Sequence, residues 1–361
     1  MWSNGIPRWY YLELERPQPF PHQIERETTM TNKHVLVTDY TWPTTAVEAA
    51  VLAEVGADLL LAQRGDEAEL LELVPQADAI LTCFKKVSPE VVRAGSKLQV
   101  IGRYGIGVDN IAVEEATRLG IPVTNVPAYC LDEVAEHTLA LLLACARNIA
   151  HYNSAVRSGD WALNSQRRLF RLHGRALGII GFGKIGQTLA QRALGFGLRV
   201  LAYDPHVDEA VIRHNGCDMV GLDELLARAD FVSLHTPLNP STQHLMNAER
   251  LQRMKPTAFL INTARGGLVD HEALLQALRE GWIAGAGLDV FEGEPLAADH
   301  PLLAQPNLIA TPHTAFYSEE SLVELQTKAA QNVAAILAGR RPAAVVNPQV
   351  LELPRWGGLQ P

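Results

Sequence analysis

The residues with the most chemical reach in this 361-residue chain stand in three short motifs: Arg265 in "INTARGG", Glu294 in "AGLDVFEGEP" and His313 in "ATPHTAF". An arginine presents five N–H donors in a planar fork, which matches a carboxylate and a neighbouring carbonyl oxygen together. A histidine can give or take a proton near neutral pH, and a carboxylate beside it favours the charged ring and orients it. Taken singly, a strand-end arginine is a surface salt bridge, a Gly-Glu-Pro turn shows an exposed carboxylate, and a loop histidine is solvated. Here the three follow successive apolar strands, so they converge on the carboxyl edge of one sheet. Given a hydride source, such a set suits reduction of a 2-keto acid: the arginine holds the carboxylate and the histidine protonates the new alkoxide oxygen.

The hydride source is legible upstream. In "LGIIGFGKIGQTLAQRA" the segment Gly181-Phe182-Gly183-Lys184-Ile185-Gly186 has the spacing G-x-G-x-x-G between an apolar strand and a helix. Glycines there permit a tight turn and close approach of backbone to a pyrophosphate, which the helix N-terminus receives. The next strand ends at Asp204, an acid placed to bind the adenosine ribose hydroxyls and to repel a 2'-phosphate, which favours NAD over NADP. The histidines show no metal-ligand spacing, so no metal is expected.

These motifs need a scaffold of parallel strands. Short apolar runs alternate with helical stretches from His34 onward: "HVLVTDY", "ADLLLA", "DAILTC" and "LQVIGR" read as strands, and Ser88-Pro89-Glu90 opens a helix with serine as cap. A long helix from about 131 to 150 follows. The alternation resumes with "ALGIIG", "RVLAYD", "DFVSLH", "AFLINT" and "AGAGLDV", and a last helix near 318 to 338 comes after that sheet is complete. Such βαβα alternation predicts two parallel sheets covered on both faces, and the length suits two domains.

The formal charge of -9, with no basic cluster, points to a small-molecule partner and away from nucleic acid and anionic membranes. The apolar run "LALLLACA" is far too short to span a bilayer. Four scattered cysteines fit a reducing, cytoplasmic setting better than a disulfide frame. Residues 1–30 have neither the pattern of a signal peptide nor a periodicity, and read as a leader or as an extension upstream of a start at Met30.

In order along the chain, "RYGIGVDNI", "GIPVTNVP", "EVAEHTLALLL", "GFGKIG", "NTARGGLVD", "GLDVFEGEP" and "TPHTAF" resemble the D-isomer-specific 2-hydroxyacid dehydrogenase family over residues 34 to 348. The resemblance implies an α/β fold of two doubly wound domains. One is a flavodoxin-like substrate domain, residues 31–127 with 314–348; the other is a Rossmann NAD-binding domain, residues 128–313, and residues 349–361 form a tail. It implies NAD as cofactor, a homodimer, and a product of D configuration. His313 becomes the acid/base, Glu294 its partner and Arg265 the substrate arginine. Asp289 resembles the residue that holds the nicotinamide carboxamide. His235, Thr236 and Pro237 line the nicotinamide and ribose, and Thr263, Ala264, Arg265 and His313 complete the cofactor contacts. Backbone N–H groups of Tyr104, Gly105 and Ile106 would bind the substrate carboxylate.

Within the family the motifs resemble the C-terminal-binding-protein branch, which implies a second reading, an NAD-gated corepressor or binding protein. A third is a dehydrogenase of a phosphorylated or phosphonate hydroxy acid. Phosphoglycerate-binding members carry an arginine after the strand corresponding to "DAILT", where this chain has Thr82-Cys83-Phe84-Lys85-Lys86. Lys85 or Lys86 there could meet a second anionic group, and Phe84 could form an apolar wall.

Overall fold

The computed structural model describes residues 33–162 and 169–360, so the leader expected at 1–30 lies outside the described residues. The first alternation gives β1 (Lys33–Val37), α1 (Ala46–Ala53), β2 (Ala57–Leu61), α2 (Glu67–Leu73), β3 (Ala79–Thr82), α3 (Pro89–Ala94), β4 (Val100–Arg103), α4 (Val113–Arg118) and β5 (Val123–Thr124). The Ser88 side chain caps α3 by accepting the Val91 N–H. All five strands pair in parallel, in the order β2-β1-β3-β4-β5, the doubly wound order of flavodoxin-like sheets. β3 and β4 are buried along their whole length, as strands covered on both faces must be.

One cover arrives from far along the chain. α12 (Glu319–Leu337) packs against α1, β3 and β4, placing Leu325, Ala329 and Val333 in the same core as Val35, Leu81 and Val100. The backbone of Gly102 admits it, since a Cβ there would lie 2.7 Å from the Val333 side chain. The segment expected as a tail at 349–361 is packed as far as residue 360. Val350, Leu351 and Trp356 are buried, and the Trp356 indole N–H donates to the Gly120 carbonyl at 3.0 Å. Apolar side chains with a satisfied indole hold it down.

Between the sheets the single long helix expected at 131–150 is two, α5 (Leu131–Ala146) and α6 (Ile149–Arg157). Asn148 stands between them at φ 52, a left-handed conformation asparagine tolerates and a helix cannot continue through. The second alternation gives β6 (Ala176–Ile180), α7 (Lys184–Gly195), β7 (Arg199–Tyr203), α8 (Glu209–His214), β8 (Asp218–Met219), α9 (Leu222–Arg228), β9 (Phe231–Leu234), α10 (Ala248–Arg253), β10 (Phe259–Asn262), α11 (His271–Glu280), β11 (Gly285–Leu288) and β12 (Leu308–Ala310). These seven strands, again all parallel, run β12-β11-β10-β9-β6-β7-β8, a Rossmann order extended by one edge strand. The switch points lie between β1 and β3 in one sheet and between β6 and β9 in the other. Loops from the carboxyl ends of both sheets line one cleft of about 650 Å³, the place where doubly wound folds bind ligands.

Asp230 secures the opposite end of the second sheet. Its carboxylate accepts from Arg175 at 3.0 Å, Lys255 at 3.1 Å and the Ala176 N–H at 2.9 Å. Burial pushes this carboxyl up, but the Ala176 N–H and the two cations outweigh it and hold the group below its ordinary 3.8. A carboxyl depressed by folding contributes stability above its unfolded pKa and loses it as pH falls through the folded one. Asp230→Asn is therefore expected to cost about 1–3 kcal/mol at pH 7, and the gap to the unaltered chain should shrink below about pH 4. Thermal denaturation at pH 7 and pH 3 measures both; a gap independent of pH would show that charge at Asp230 plays no part.

All four cysteines are free and buried. Among the described residues no helix is long and apolar enough to cross a membrane, and no cluster of His, Cys, Asp and Glu could hold a metal ion.

Candidate active site

At the end of β6 the chain turns through Gly181 and Gly183 into α7. Gly181 has φ 95, and a Cβ there would lie 2.6 Å from the His235 carbonyl, whereas a Cβ at Gly183 would meet nothing within 4 Å. The turn is tight where it closes and open where a phosphate would lie, beside the N-terminal N–H groups of α7 at Lys184 and Ile185. Thr236 Oγ1 is buried without a hydrogen-bond partner, a polar atom that a cofactor group can satisfy. These features fit a bound dinucleotide. Pro237, Thr263 and Ala264 also line the cleft. His235 Nε2 bonds Ser233 Oγ at 2.8 Å, and burial pushes its ring pKa down to about 4, which leaves it uncharged at neutral pH.

Two residues of the glycine motif do something other than expected. Phe182 is fully buried in the core, and its N–H donates to Asp204 Oδ2 at 2.8 Å, so its side chain contacts no ligand. A Cβ at Gly186 would lie 2.4 Å from the Gly181 carbonyl oxygen; this glycine seats the helix on the turn. Asp204 stands at the end of β7, its second oxygen accepting the His206 N–H at 2.8 Å.

His313 follows β12, and its backbone has φ 54, outside the conformations that side-chain-bearing residues favour. The surrounding structure enforces this: its N–H donates to the Asp289 carbonyl at 2.7 Å, and the Asp289 carboxylate accepts from the Thr314 and Ala315 N–H groups at 3.0 and 2.8 Å. Thr311 Oγ1 adds a further bond to Asp289 at 2.5 Å. Asp289, expected to hold the nicotinamide carboxamide, is completely buried and visibly anchors the histidine loop. Held this way, His313 directs Nδ1 to Glu294 Oε2 at 2.7 Å, so Nδ1 carries the proton and Nε2 is left for the cleft. Burial raises the Glu294 carboxyl, but the bond and charge of His313, with the Phe291 N–H at 2.7 Å, bring it below its ordinary value. Glu294 is a carboxylate at neutral pH.

Arg265 ends the loop after β10. Its Nε donates to Asp109 Oδ1 at 2.9 Å and one terminal nitrogen to the Ala264 carbonyl at 2.8 Å. Gly107 makes room, because a Cβ there would stand 1.8 Å from the Arg265 Nη2. Of the three backbone groups expected for a substrate carboxylate, the Tyr104 N–H is already bonded to Thr82 O at 2.9 Å. Its ring is buried against Trp42. Gly105 and Ile106 are the remaining pair.

Lys85, expected to meet a second anion, is turned away. The Asp39 carboxylate accepts the N–H groups of Cys83, Phe84 and Lys85 at 3.0, 2.7 and 3.2 Å, which fixes the loop so that Phe84 points into the cleft and Lys85 runs along Gly65. Phe84 meets the His313 ring edge-on at 5.3 Å between centroids. Sequence reasoning missed Arg103 and Asp109. Arg103, with its Nε buried and unpartnered, lines the cleft beside Phe84. Its signal was available, since it ends the strand "LQVIGR" much as Arg265 follows "FLIN". Asp109 carried none, because nothing local marks it as the partner of Arg265.

Comparison with known proteins shows the family to which such a fold belongs. The model of the family described as "D-isomer specific 2-hydroxyacid dehydrogenase, NAD binding domain" matches residues 139–315. A glyoxylate reductase of Korarchaeum cryptofilum is 42% identical over 288 residues, covering 79% of this chain and 87% of that protein. A D-3-phosphoglycerate dehydrogenase of Methanocaldococcus jannaschii is 41% identical over 332 residues, 91% of this chain but 62% of the longer relative. Among solved structures, the D-lactate dehydrogenase of Aquifex aeolicus complexed with NAD and lactic acid has a TM-score of 0.77 and 30% identity, over 89% of this chain and 98% of that one.

Proposed function

Because the chain belongs to the D-isomer-specific 2-hydroxyacid dehydrogenase family, NAD-dependent oxidoreductases of hydroxy acids, we propose that it reduces a small 2-keto acid to the D-2-hydroxy acid with His313 as proton donor. The observation that carries this is one cleft holding the His313–Glu294 pair at 2.7 Å, the Arg265 fork and the open glycine turn. A dinucleotide held at Gly183, Lys184, Ile185 and Thr236 would supply the hydride for the keto carbon. Arg265, with the N–H groups of Gly105 and Ile106, holds the carboxylate and polarises the keto oxygen. As the C2–O double bond becomes single, its electron pair takes the proton from His313 Nε2, and Glu294 stabilises the charged ring beforehand. In oxidation the neutral ring takes the proton back. Phe84, Leu238 and Phe291 give the cleft apolar lining, and the likeness to a glyoxylate reductase favours a glyoxylate-like substrate.

The domains we assign are 31–127 with 314–348 for substrate, joined by the packed segment 349–360, and 128–313 for NAD, with Asp204 selecting NADH. Initial rates with NADH and NADPH against glyoxylate, hydroxypyruvate, pyruvate, phenylpyruvate and oxaloacetate test the reading. Background rates throughout, with NADH altering the binding of a protein partner, would favour a regulator instead. Free, buried thiols support a reducing, cytoplasmic setting.

We also infer a homodimer. α6 has no buried residue in the single chain, and Ile149, Val156 and Trp161 are 56, 43 and 81% exposed, an apolar strip that a second copy would cover. Sedimentation equilibrium is expected to give twice the chain mass; a monomer at micromolar concentration would remove this inference.

A further inference from the structure

We propose that His271 is a positioning residue for proton transfer: it holds from behind the turn that presents Glu294 to His313. The inference deepens the function proposed above and rests on it. The turn Phe291-Glu292-Gly293-Glu294 sends its two carboxylates to two histidines, Glu294 Oε2 to His313 Nδ1 and Glu292 Oε1 to His244 Nε2, each at 2.7 Å. Both histidines have left-handed backbones, φ 54 and φ 50, a conformation that persists only where its surroundings enforce it. His244 donates its N–H to the Gly267 carbonyl at 2.8 Å, which ties it to the loop of Arg265. Gly266 lies directly on the Phe291–Glu292 peptide, since a Cβ there would stand 2.0 Å from the Phe291 carbonyl carbon. The turn and the Arg265 loop therefore form one block.

His271 meets this block without lining the cleft. It is the first residue of α11 and only 7% exposed. Its Nε2 accepts the Glu292 N–H at 3.4 Å, and its ring meets that of Phe291 edge-on, 5.9 Å between centroids. Glu294 takes its bearing from the same backbone, because its Oε1 accepts the Phe291 N–H at 2.7 Å. The His244–Glu292 pair is partly exposed and worth little by itself, so the buried acceptor carries more of the hold. Accepting at Nε2 requires a neutral ring with its proton on Nδ1. The surroundings supply it: burial pushes the ring down against the pull of Glu292, His300 and His244 lower it, Asp270 raises it, and it ends below its ordinary 6.5. The positive end of α11 acts in the same direction. Without the acceptor the Glu292 N–H loses its partner and the turn gains freedom. Glu294 then spends less time beside His313, and a ring without that carboxylate gives up its proton more readily.

Oxamate, an unreactive analogue whose amide oxygen takes the place of the keto oxygen, binds best to a charged His313 ring. Its dissociation constant is measured on the NADH-loaded protein between about pH 6 and 10, unaltered and as His271→Leu and His271→Gln. Leucine removes the acceptor; glutamine keeps one at the same reach. The expected result is that in His271→Leu the alkaline loss of oxamate affinity sets in about 1 pH unit lower. On that alkaline side kcat for glyoxylate reduction should fall on the order of tenfold, while His271→Gln stays near the unaltered protein in both. A merely structural role weakens binding evenly at every pH and leaves the onset in place. An unchanged onset in His271→Leu, or an equal shift in His271→Gln, overturns the proposal. If the leucine variant unfolds, His271→Asn, polar and too short to reach the Glu292 N–H, replaces it in the same comparison. Absence of turnover in the unaltered protein would count against the dehydrogenase reading, whereas the onset of oxamate loss still decides the role of His271.

Discussion

Replacing His313 with asparagine is expected to lower kcat for keto-acid reduction by about 10²–10⁴-fold, the usual contribution of a positioned general acid. Asparagine is the informative choice because the backbone at this residue has φ 54, a conformation asparagine accepts and alanine resists. The loop that Asp289 anchors should therefore survive, and NADH should bind within a few-fold of its original affinity. The loss should appear in kcat and kcat/KM alike, since the proton is needed only as the alkoxide forms. Near-normal turnover at pH 7 would remove His313 from proton transfer and leave its 2.7 Å bond to Glu294 as a packing feature.

The second large effect is expected at Arg265. Lysine there keeps the charge but loses the fork and the Nε bond to Asp109, so a fall in kcat/KM of on the order of 10²-fold or more is expected for 2-keto acids. Arg265→Ala should fall further and recover in part when guanidinium chloride is added at concentrations that do not unfold the protein. A lysine variant equal to the unaltered protein would mean that charge alone matters. Activity of Arg265→Ala that guanidinium leaves untouched would argue against a direct role for the fork.

Much of this site was legible because chemistry and topology share one rule, that ligands gather at the carboxyl ends of parallel strands. Their order after successive strands predicts that Arg265, Glu294 and His313 meet, and the structure brings all three to one cavity. The short strands β5, β8 and β12, two or three residues each, carry too few residues for a periodicity to register and all lie on sheet edges. Lys85 was misread for a different reason. Which of two adjacent residues faces a cleft depends on loop geometry, here set by the Asp39 carboxylate 46 positions earlier. Asp109 eluded the sequence likewise, since its partner is 156 residues away.

The packing of α12 has a consequence for biosynthesis. The first sheet is written by residue 124, yet the helix that covers one of its faces begins at residue 319. A ribosome adding about 5–20 residues per second needs roughly 10–40 s to cross that interval. During this time the apolar face of β3 and β4 waits uncovered while the whole second sheet emerges. The unit inserted in the middle of the chain can therefore complete its fold before the one that precedes it. The nascent chain should engage chaperones most strongly in this window, and ribosome profiling of chaperone-bound nascent chains would show where that engagement ends.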